Sequence, residues 1–407
     1  MAPDPVLVVY NPVCGDRSAQ AFFDAHVLPL LAQHGVAPAK VATTESPGHV
    51  GQLLVDFLAA ADPAAPLSVV LGSGDGTLHE LINVLHKSAG GSALPRINVA
   101  LVPCGTANAL YAALFPPSPD DDPVQYRLRS VQQLLAPAPR TIPLNLAVAD
   151  IAPGPVATPG VPRGARQAAI SAVVASTALH AAILHDSEAL RATDPSMERF
   201  KTAARQNVTR WYAAHVKLYP RDGAGVVEVY DPATGTFVPH EESSEDEPIV
   251  DVGGPFAYFL STVNVDRLEP AFRITPRGKD VLGEKTTAAL DLVMIRPFRD
   301  PSVDMDSEEV RAAFAQKQMT VVGGAYQDGK HIDMRYDDDG KIVSEGTGPT
   351  VVEYIRCGRW VWEPDDIDER AHFVCTDGDI LLIPKGGRAV CTAAAPMDAT
   401  TGFAVYA

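Results

Sequence analysis

Cysteine is scarce in this chain, and its spacing suggests neither a metal site nor a disulfide framework. Five cysteines occur among 407 residues, an odd and scattered set without any C-x-x-C pair. Such a pattern is typical of proteins from a reducing compartment. We therefore expect no zinc site and no structural disulfides at Cys14, Cys104, Cys357, Cys375 and Cys391.

Clustered positive charge and long apolar runs are also missing. The formal net charge is −17 and no basic run occurs, so a nucleic-acid partner is not expected. No window approaches the apolar length that a membrane span requires. The opening residues, MAPDPVLVVYNP, lack the pattern of a signal peptide. These absences predict a cytoplasmic protein whose membrane contact is at most transient and peripheral.

The first 140 residues do contain a regular alternation of short apolar runs and amphipathic segments. Such strand–turn–helix units predict a mostly parallel sheet with functional loops at the carboxyl ends of its strands. The predicted strands are 6–10, 40–44, 67–71 and 99–102, and the predicted helices are 18–33, 48–60, 77–86 and 107–114.

Beyond Pro143 the pattern changes to apolar runs bounded by turn residues, at 168–176, 256–265 and 288–295. This pattern predicts a second, antiparallel β-rich domain. One helix is predicted over 197–219, and exposed loops over 152–166 and 240–248. We place the domains at 1–140 and 141–407, with the C-terminal segment packing back on the first.

The most specific motif is Gly72-Ser73-Gly74-Asp75-Gly76-Thr77, which follows a predicted strand and opens a predicted helix. Glycines let the backbone turn tightly and approach a phosphate, and the N-terminus of a helix attracts one. A packing role fits this turn poorly, because Asp75 would stand between two glycines without structural benefit. The motif therefore favours a functional site.

Two further turns, Asn11-Pro12-Val13-Cys14-Gly15 and Pro103-Cys104-Gly105-Thr106-Ala107-Asn108, also follow predicted strands. Each alone would be an ordinary turn or helix cap. Three phosphate-compatible turns at the strand ends of one sheet together indicate a nucleotide site. We expect all three to converge on one cleft.

These motifs resemble the three signatures of the diacylglycerol kinase and sphingosine kinase catalytic domain. The resemblance continues through 185–191, 198–200, 261–264 and 377–379, so it covers nearly the whole chain. It implies an α/β nucleotide domain followed by a larger antiparallel β-sandwich. It also implies transfer of the γ-phosphoryl group of ATP, with Mg²⁺, to a hydroxyl of a diacylglycerol-like or sphingoid/ceramide-like lipid.

The resemblance also implies roles for individual residues. Asp75 would be the general base and Glu80 a metal ligand. Arg191 and Arg199 would bind the nucleotide with the residues given next, and their alternative role is an ion pair with Glu188 or Glu198. The nucleotide set comprises Asn11, Pro12, Thr44, Glu45, Gly72, Ser73, Gly74, Gly76, Thr77, Gly105, Thr106, Asn108, Arg191, Arg199, Asp377, Gly378 and Asp379.

The substrate region departs from the sphingosine kinase pattern at Ala182. Sphingosine kinases carry there an aspartate that binds the amino group of the lipid, whereas the nearest carboxylate here is Asp186. A buried amine requires a paired anion. The substitution therefore favours a neutral lipid alcohol unless Asp186 takes this role. His180 either lines the lipid pocket or packs structurally.

Two other functions stay open at this point. One is a kinase for a soluble hydroxyl compound, similar to NAD kinase, and the other is a non-catalytic regulator that binds nucleotide or lipid. The retention of Asp75, Glu80, Thr106 and the aspartates at 377 and 379 favours an enzyme. His79, on the helix after the glycine-rich turn, is expected to be structural.

Overall fold

The computed structural model describes residues 5–60, 66–89, 95–154, 166–194, 196, 198–281, 288–395 and 402–407. Most of the predicted loop at 152–166 lies outside these ranges. No helix within them is long and apolar enough to cross a membrane.

A parallel sheet with flanking helices occupies the first part of the chain. All four strands predicted there are present, whereas the last helix was not predicted. The strands are β1 (Val6–Tyr10), β2 (Lys40–Thr43), β3 (Leu67–Ser73), β4 (Arg96–Pro103) and β5 (Thr141–Pro143). The helices are α1 (Ala19–Phe22), continued by a π-helical turn (Phe23–Val27) into α2 (Leu28–Gln33), then α3 (His49–Ala60), α4 (Asp75–Ala89), α5 (Ala109–Leu114) and α6 (Pro123–Leu134).

Most of the remaining elements are strands. They are β6 (Leu146–Ala152), β7 (Gln167–Ser171), β8 (Val174–Thr177), β9 (Ala214–Tyr219), β10 (Glu228–Asp231), β11 (Thr236–Pro239), β12 (Val250–Gly253), β13 (Tyr258–Thr262), β14 (Leu290–Ile295), β15 (Arg335–Tyr336), β16 (Ile342–Val343), β17 (Glu353–Cys357), β18 (Arg359–Pro364), β19 (Phe373–Thr376), β20 (Asp379–Leu382), β21 (Arg388–Ala394) and β22 (Gly402–Tyr406). The helices are α7 (Ala178–Leu190), α8 (Glu198–Asn207) and α9 (Glu308–Ala325), with short 3-10 turns at Gly278–Val281, Pro297–Arg299, Lys330–Asp333 and Glu369–His372.

Two antiparallel sheets form the larger part of the molecule, as the sequence predicted. Their strand orders are β11-β10-β17-β14-β13-β8-β19-β20 and β12-β9-β18-β21-β6-β7. The sheets meet through aromatic side chains, since the Phe259 ring on β13 lies 5.4 Å from Trp360 and 5.0 Å from Trp362 on β18. The Trp360 indole also donates to Ser261 Oγ at 2.9 Å, which satisfies its buried N–H.

The strand β22 returns to the first sheet, whose order is β2-β1-β3-β4-β22-β5. It runs parallel to β4 and antiparallel to β5. The Tyr406 hydroxyl hydrogen-bonds Ser68 Oγ at 2.7 Å, and the Tyr406 carbonyl accepts from Ser130 Oγ at 2.6 Å. The sheet thus includes Thr141–Pro143 and the segment 402–406, while the division of domains at residue 140 stays a prediction.

The prediction of one helix over 197–219 is wrong. The helix α8 ends at Asn207, and Ala214–Tyr219 instead forms β9, which pairs with β12 and β18. In β9 only Val216 and Leu218 are buried, which is the period of two that a strand shows. Neither α7 nor α9 was predicted.

The predicted loop at 240–248 is exposed over its acidic residues but is anchored at both ends. His240 and Ser243 are buried. Ser243 Oγ accepts from the Val227 amide at 3.0 Å and donates to the Pro248 carbonyl at 2.8 Å. The prediction of an exposed loop at 240–248 is therefore only partly correct.

Candidate active site

The three turns predicted from the sequence meet at the carboxyl end of the parallel sheet. The Asn11 amide donates to the Gly72 carbonyl at 2.9 Å, and the Cys104 amide donates to the Ser73 carbonyl at 3.1 Å. A Cβ on Gly105 would lie 2.4 Å from Gly74 Cα, so only glycine allows this approach. The prediction that the turns converge is confirmed.

Asp75 begins α4 and connects two of these turns. Its Oδ2 accepts from the Ala109 amide at 2.6 Å and its Oδ1 from the Leu110 amide at 3.2 Å. Burial raises the pKa of Asp75 to about 6; the two amides act in the opposite direction, and the charge of Asp377 adds to the rise. The pKa of the Asp75 carboxyl group therefore lies about one unit below neutral pH.

Small polar groups surround this carboxylate. Ser73 Oγ and Thr77 Oγ1 lie 2.5 Å apart. The Asn108 side chain accepts from the Gly105 amide at 3.0 Å and donates to the Gly105 carbonyl at 2.8 Å, which fixes the third turn. Gly76 and Thr106 are exposed. A recess opens here, lined by Leu71, Ser73, Gly74, Asp75, Leu101, Pro103, Asn108 and Tyr111.

The turn at 377–379 reaches the site from the antiparallel part of the molecule. The Asp377 carboxylate accepts from the amides of Ala172, Val173 and Val174 at 2.7–3.0 Å. Asp377 and Gly378 both have positive φ, which makes the turn tight. Asp377 is thereby fixed by backbone, whereas the Asp379 side chain is 73% exposed.

His79 joins this turn to α4. Its Nδ1 lies 3.5 Å from Asp377 Oδ2 and its Nε2 lies 3.3 Å from Asp379 Oδ2. Burial alone would lower the pKa of His79, but hydrogen bonds and charge from the two aspartates raise it to about 9. The imidazole is therefore charged at neutral pH and forms a salt bridge with both carboxylates.

Asn83 continues the same face of α4, and its amide bonds both the N–H and the carbonyl of Ile170 at 2.9 Å. The sequence analysis missed Asn83 and gave His79 no partner. A usable signal existed, because Asp75, His79 and Asn83 follow each other at intervals of four, which places them on one helix face.

The loop after β2 is held by Glu80 rather than left open. Glu80 Oε2 accepts from the Gly48 amide at 2.8 Å. Thr44 is buried and its amide donates to the Tyr10 carbonyl at 3.1 Å, while Glu45 is exposed. Asn11 Oδ1 accepts from the Val13 amide at 3.0 Å across the partly buried Pro12. The metal role of Glu80 and the nucleotide roles of this set stay predictions.

A divalent cation fits the carboxylates of the site. Within the ranges that the structure describes, no three His, Cys, Asp or Glu side chains are arranged to hold a metal ion. Mg²⁺ is commonly bound by one or two carboxylates together with substrate phosphates. Three carboxylates, those of Asp75, Asp377 and Asp379, lie near the single positive charge of His79, so the site keeps a net negative charge that a divalent cation would offset.

The two arginines of the predicted nucleotide set make local contacts. Arg191 is exposed and forms an ion pair with Glu188 at 3.0 Å, which is the alternative role considered for it. Arg199 is buried, donates to the Ser196 carbonyl at 2.8 Å and lies 4.3 Å from the centre of the Phe200 ring. A nucleotide role for either arginine stays a prediction.

The predicted substrate residues all lie on α7. His180 Nδ1 lies 2.7 Å from Ser176 Oγ, and burial lowers the pKa of His180 to about 4, so the ring is neutral. Ala182 is fully buried. Asp186 accepts from Arg370 at 2.8 and 2.9 Å and from Asn207 at 2.7 Å. Its charge is therefore already compensated within the protein.

Comparison with known proteins agrees with this geometry. Residues 5–137 match the model of the diacylglycerol kinase catalytic domain. Human sphingosine kinase 2 is 31% identical over 113 residues, and human sphingosine kinase 1 is 33% identical over 113 residues. Each match covers 28% of this chain, but only 16% and 28% of the respective human protein.

A solved diacylglycerol kinase from Bacillus anthracis str. Sterne shares the fold over most of its length. Its TM-score is 0.50 at 14% sequence identity, and the alignment covers 97% of this chain and 94% of that one. The segment 5–137, in which the three turns meet around Asp75, therefore belongs to the diacylglycerol kinase catalytic-domain family.

Proposed function

We propose that this chain transfers the γ-phosphoryl group of ATP to a hydroxyl group of a lipid. The observation that carries the proposal is the Asp75 carboxylate, which lies where three phosphate-compatible turns meet at the carboxyl edge of a parallel sheet. Phosphoryl transfer depends mainly on positioning and electrostatics, and such an edge supplies both.

In this proposal Asp75 accepts the proton of the acceptor hydroxyl. With a pKa of about 6 the carboxylate is mostly ionised at pH 7, yet it is a better base than an ordinary aspartate. The amides of Ala109 and Leu110 orient it, and each carboxylate oxygen keeps a second lone pair for the hydroxyl.

The phosphates of the nucleotide would lie against the turn that contains Gly72, Ser73 and Gly74. The N-terminus of α4 directs backbone amides and the positive end of a 15-residue helix toward this turn. Asp379 and Glu80 are the residues that would hold Mg²⁺. When bound, Mg²⁺ neutralises negative charge that develops on the phosphoryl group.

A lipid acceptor is supported by the names of the matched family and relatives, which refer to diacylglycerol and sphingosine. Within this class we propose a neutral lipid alcohol, because Ala182 provides no anion and Asp186 is paired with Arg370. Such an acceptor would be reached by transient contact with a membrane surface.

The test is phosphoryl transfer by the purified chain from labelled ATP with Mg²⁺ to vesicles of a mixed lipid extract. We expect label in lipid products that mass spectrometry identifies as lipid phosphates, and none with Asp75→Asn. If label appears only in NAD or another soluble hydroxyl compound, that compound and not a lipid is the acceptor. ATP binding without any transfer would instead indicate a regulator.

A further inference from the structure

Two of the nucleotide turns each carry a cysteine, and their thiols are neighbours. Cys14 belongs to the turn after β1 and Cys104 to the turn after β4. The Cys14 thiol donates to the Asn11 carbonyl at 3.0 Å, and it interacts electrostatically with the Cys104 thiol. The backbones also touch, because a Cβ on Gly15 would lie 2.3 Å from the Cys104 carbonyl oxygen.

A cation on α6 faces this pair. Arg127 Nη2 lies 3.1 Å from Cys104 Sγ, and its guanidinium carbon lies 3.7 Å from the centre of the Phe22 ring, which fixes its position. The neighbouring Cys14 thiol lowers the pKa of Cys104 to about 7, against burial; the charge and hydrogen bond of Arg127 lower it further, and Asp16 acts in the opposite direction. The pKa of Cys14 is raised, so Cys14 stays a thiol.

We propose that Cys14 and Cys104 form an oxidation site, in which a hydroperoxide converts the pair into a disulfide that weakens nucleotide binding. The site combines a thiolate beside a guanidinium with a second thiol within reach, which is the arrangement of reactive and resolving cysteines. Formation of the disulfide is independent of the proposed function, whereas the effect of the disulfide on nucleotide binding rests on the proposed function.

The chemistry balances in two steps. The Cys104 thiolate attacks one oxygen of hydrogen peroxide, which gives Cys104 sulfenic acid and hydroxide, so sulfur is oxidised and peroxide reduced. The Cys14 sulfur then attacks the sulfenic sulfur; the S–S bond forms, and the hydroxyl leaves with the Cys14 proton as water. Cys14 is half-buried and its neighbour Val13 is exposed, whereas Cys104 is buried, so the peroxide must approach Cys104 from the side of the first turn.

The disulfide should disturb the turns because they are already packed against each other. Closing the S–S bond removes the hydrogen bond from Cys14 to the Asn11 carbonyl, which holds the first turn. Gly15 has no room to move toward the Cys104 carbonyl, so the turn must shift instead. Asn11, Ser73 and Gly105 would then lose their mutual alignment.

The chain contains its own comparison pair. Cys357 and Cys391 are fully buried, interact electrostatically, and have pKa values raised by burial. Among the described residues, no arginine or lysine side chain donates a hydrogen bond to either thiol, in contrast to Arg127 at Cys104. We expect them to stay reduced under conditions that oxidise Cys14 and Cys104.

The experiment treats the full chain with hydrogen peroxide and maps peptides without reduction. We expect a Cys14–Cys104 cross-linked peptide, no cross-link at Cys357 or Cys391, and about tenfold weaker ATP binding that dithiothreitol restores. Absence of that peptide would overturn the site, and a cross-link with unchanged ATP affinity would overturn its effect. Reduced protein that binds ATP but transfers no phosphoryl group would count against the proposed function alone.

Two variants sharpen the result. Cys14→Ser should leave Cys104 sulfenic acid, which dimedone captures, and should keep ATP affinity during oxidation. Arg127→Gln should slow the reaction at pH 7 about tenfold, because the thiolate fraction falls. An unchanged rate in Arg127→Gln would overturn the role of the guanidinium, and Cys391→Ser serves as the matched control.

Discussion

At the scale of single residues, the site depends on a carboxylate that is costly to keep ionised. Burial raises the pKa of Asp75 although two amides hold its oxygens. An ionisable side chain whose pKa is strongly shifted by burial is a common feature of functional sites. The sequence showed Asp75 between two glycines, but the amides that orient it come from α5 and required the fold.

Asp75→Asn should abolish phosphoryl transfer, by about 100-fold or more, because the amide cannot take up the hydroxyl proton. Nucleotide binding should stay within about tenfold, since the three turns keep their backbone groups. Single-turnover kinetics and calorimetry measure the two effects. Asp56→Asn, on the exposed face of α3, is the control; turnover near the wild-type value in Asp75→Asn would exclude Asp75 as the base.

The pH dependence follows from the same carboxylate. Because the pKa of Asp75 is raised to about 6 from an ordinary 3.8, the folded protein protonates it more readily than the unfolded chain. Its stabilising contribution is thus present below about pH 4 and is lost as the pH rises through 6. The transfer rate should fall below pH 6, and the stability of Asp75→Asn relative to wild type should rise between pH 4 and 6.

A pH–rate profile that stays flat down to pH 5, with saturating nucleotide and lipid, would contradict this assignment. Differential scanning calorimetry of both proteins over the same range gives the independent check on stability.

Asp186 tests the substrate proposal. Its pKa is lowered, because hydrogen bonds from Asn207, His185 and Arg370 outweigh the effect of burial. Asp186→Ala should cost about 2 kcal/mol of stability through the lost charged hydrogen bonds, without changing the ratio of rates on sphingosine and diacylglycerol. Sphingosine should be no better a substrate than the neutral lipid. A sphingosine preference that disappears in Asp186→Ala would show that this carboxylate binds the amine.

At the scale of elements, α4 connects the two parts of the molecule through one polar face. Asp75 contacts α5, His79 contacts the turn at 377–379, and Asn83 contacts Ile170 in β7. The helix itself was predictable from its apolar spacing. Its partners were not, because they come from α5, β7 and the turn at 377–379, which lie 34 or more residues away in the sequence.

His79→Ala should lower both stability and the transfer rate, since it leaves Asp377 buried without its cation. The raised pKa of His79 means that its contribution is fully present below pH 6.5 and is lost as the pH rises through about 9. The stability difference from wild type should therefore shrink above pH 9. His86→Ala, on the exposed side of the same helix, should show no such difference, and equal behaviour of the two variants would refute the link.

The error at 197–219 shows where periodicity stops being informative. Phe200, Ala203 and Ala204 keep helical spacing, and Trp211, Tyr212 and Val216 happen to continue it. In the structure Tyr212 pairs with Phe256 instead, and β9 is held by neighbours on both sides. Residues 214–219 form a strand because they pair with strands that are distant in the sequence, and the local spacing of apolar residues does not reveal such pairing.

At the scale of the whole molecule, the first sheet is completed by β22, a strand that is far from β4 in the sequence and lies between β4 and β5. Removing residues 402–407 would expose the edges of β4 and β5 and the apolar side chains Phe403 and Val405. We expect this truncation to lose nucleotide binding and to aggregate. Tyr406→Phe, which removes the bond to Ser68 Oγ but keeps the strand, should cost about 1 kcal/mol and keep binding. Size-exclusion chromatography and ATP titration distinguish the two, and a monomeric truncated protein with full ATP affinity would contradict the expectation.

The position of β22 also bears on how the protein is made. A ribosome releases β4 before it has synthesised β5 or β22, and on the order of tens of seconds separate β4 from β22 at ordinary elongation rates. During that interval one edge of β4 has no neighbour, so the nascent sheet is a surface on which chaperones or other chains can pair. Most residues of the nucleotide site are synthesised before β22. The sheet that carries the site is nevertheless complete only after β22 has been translated and has paired with β4 and β5.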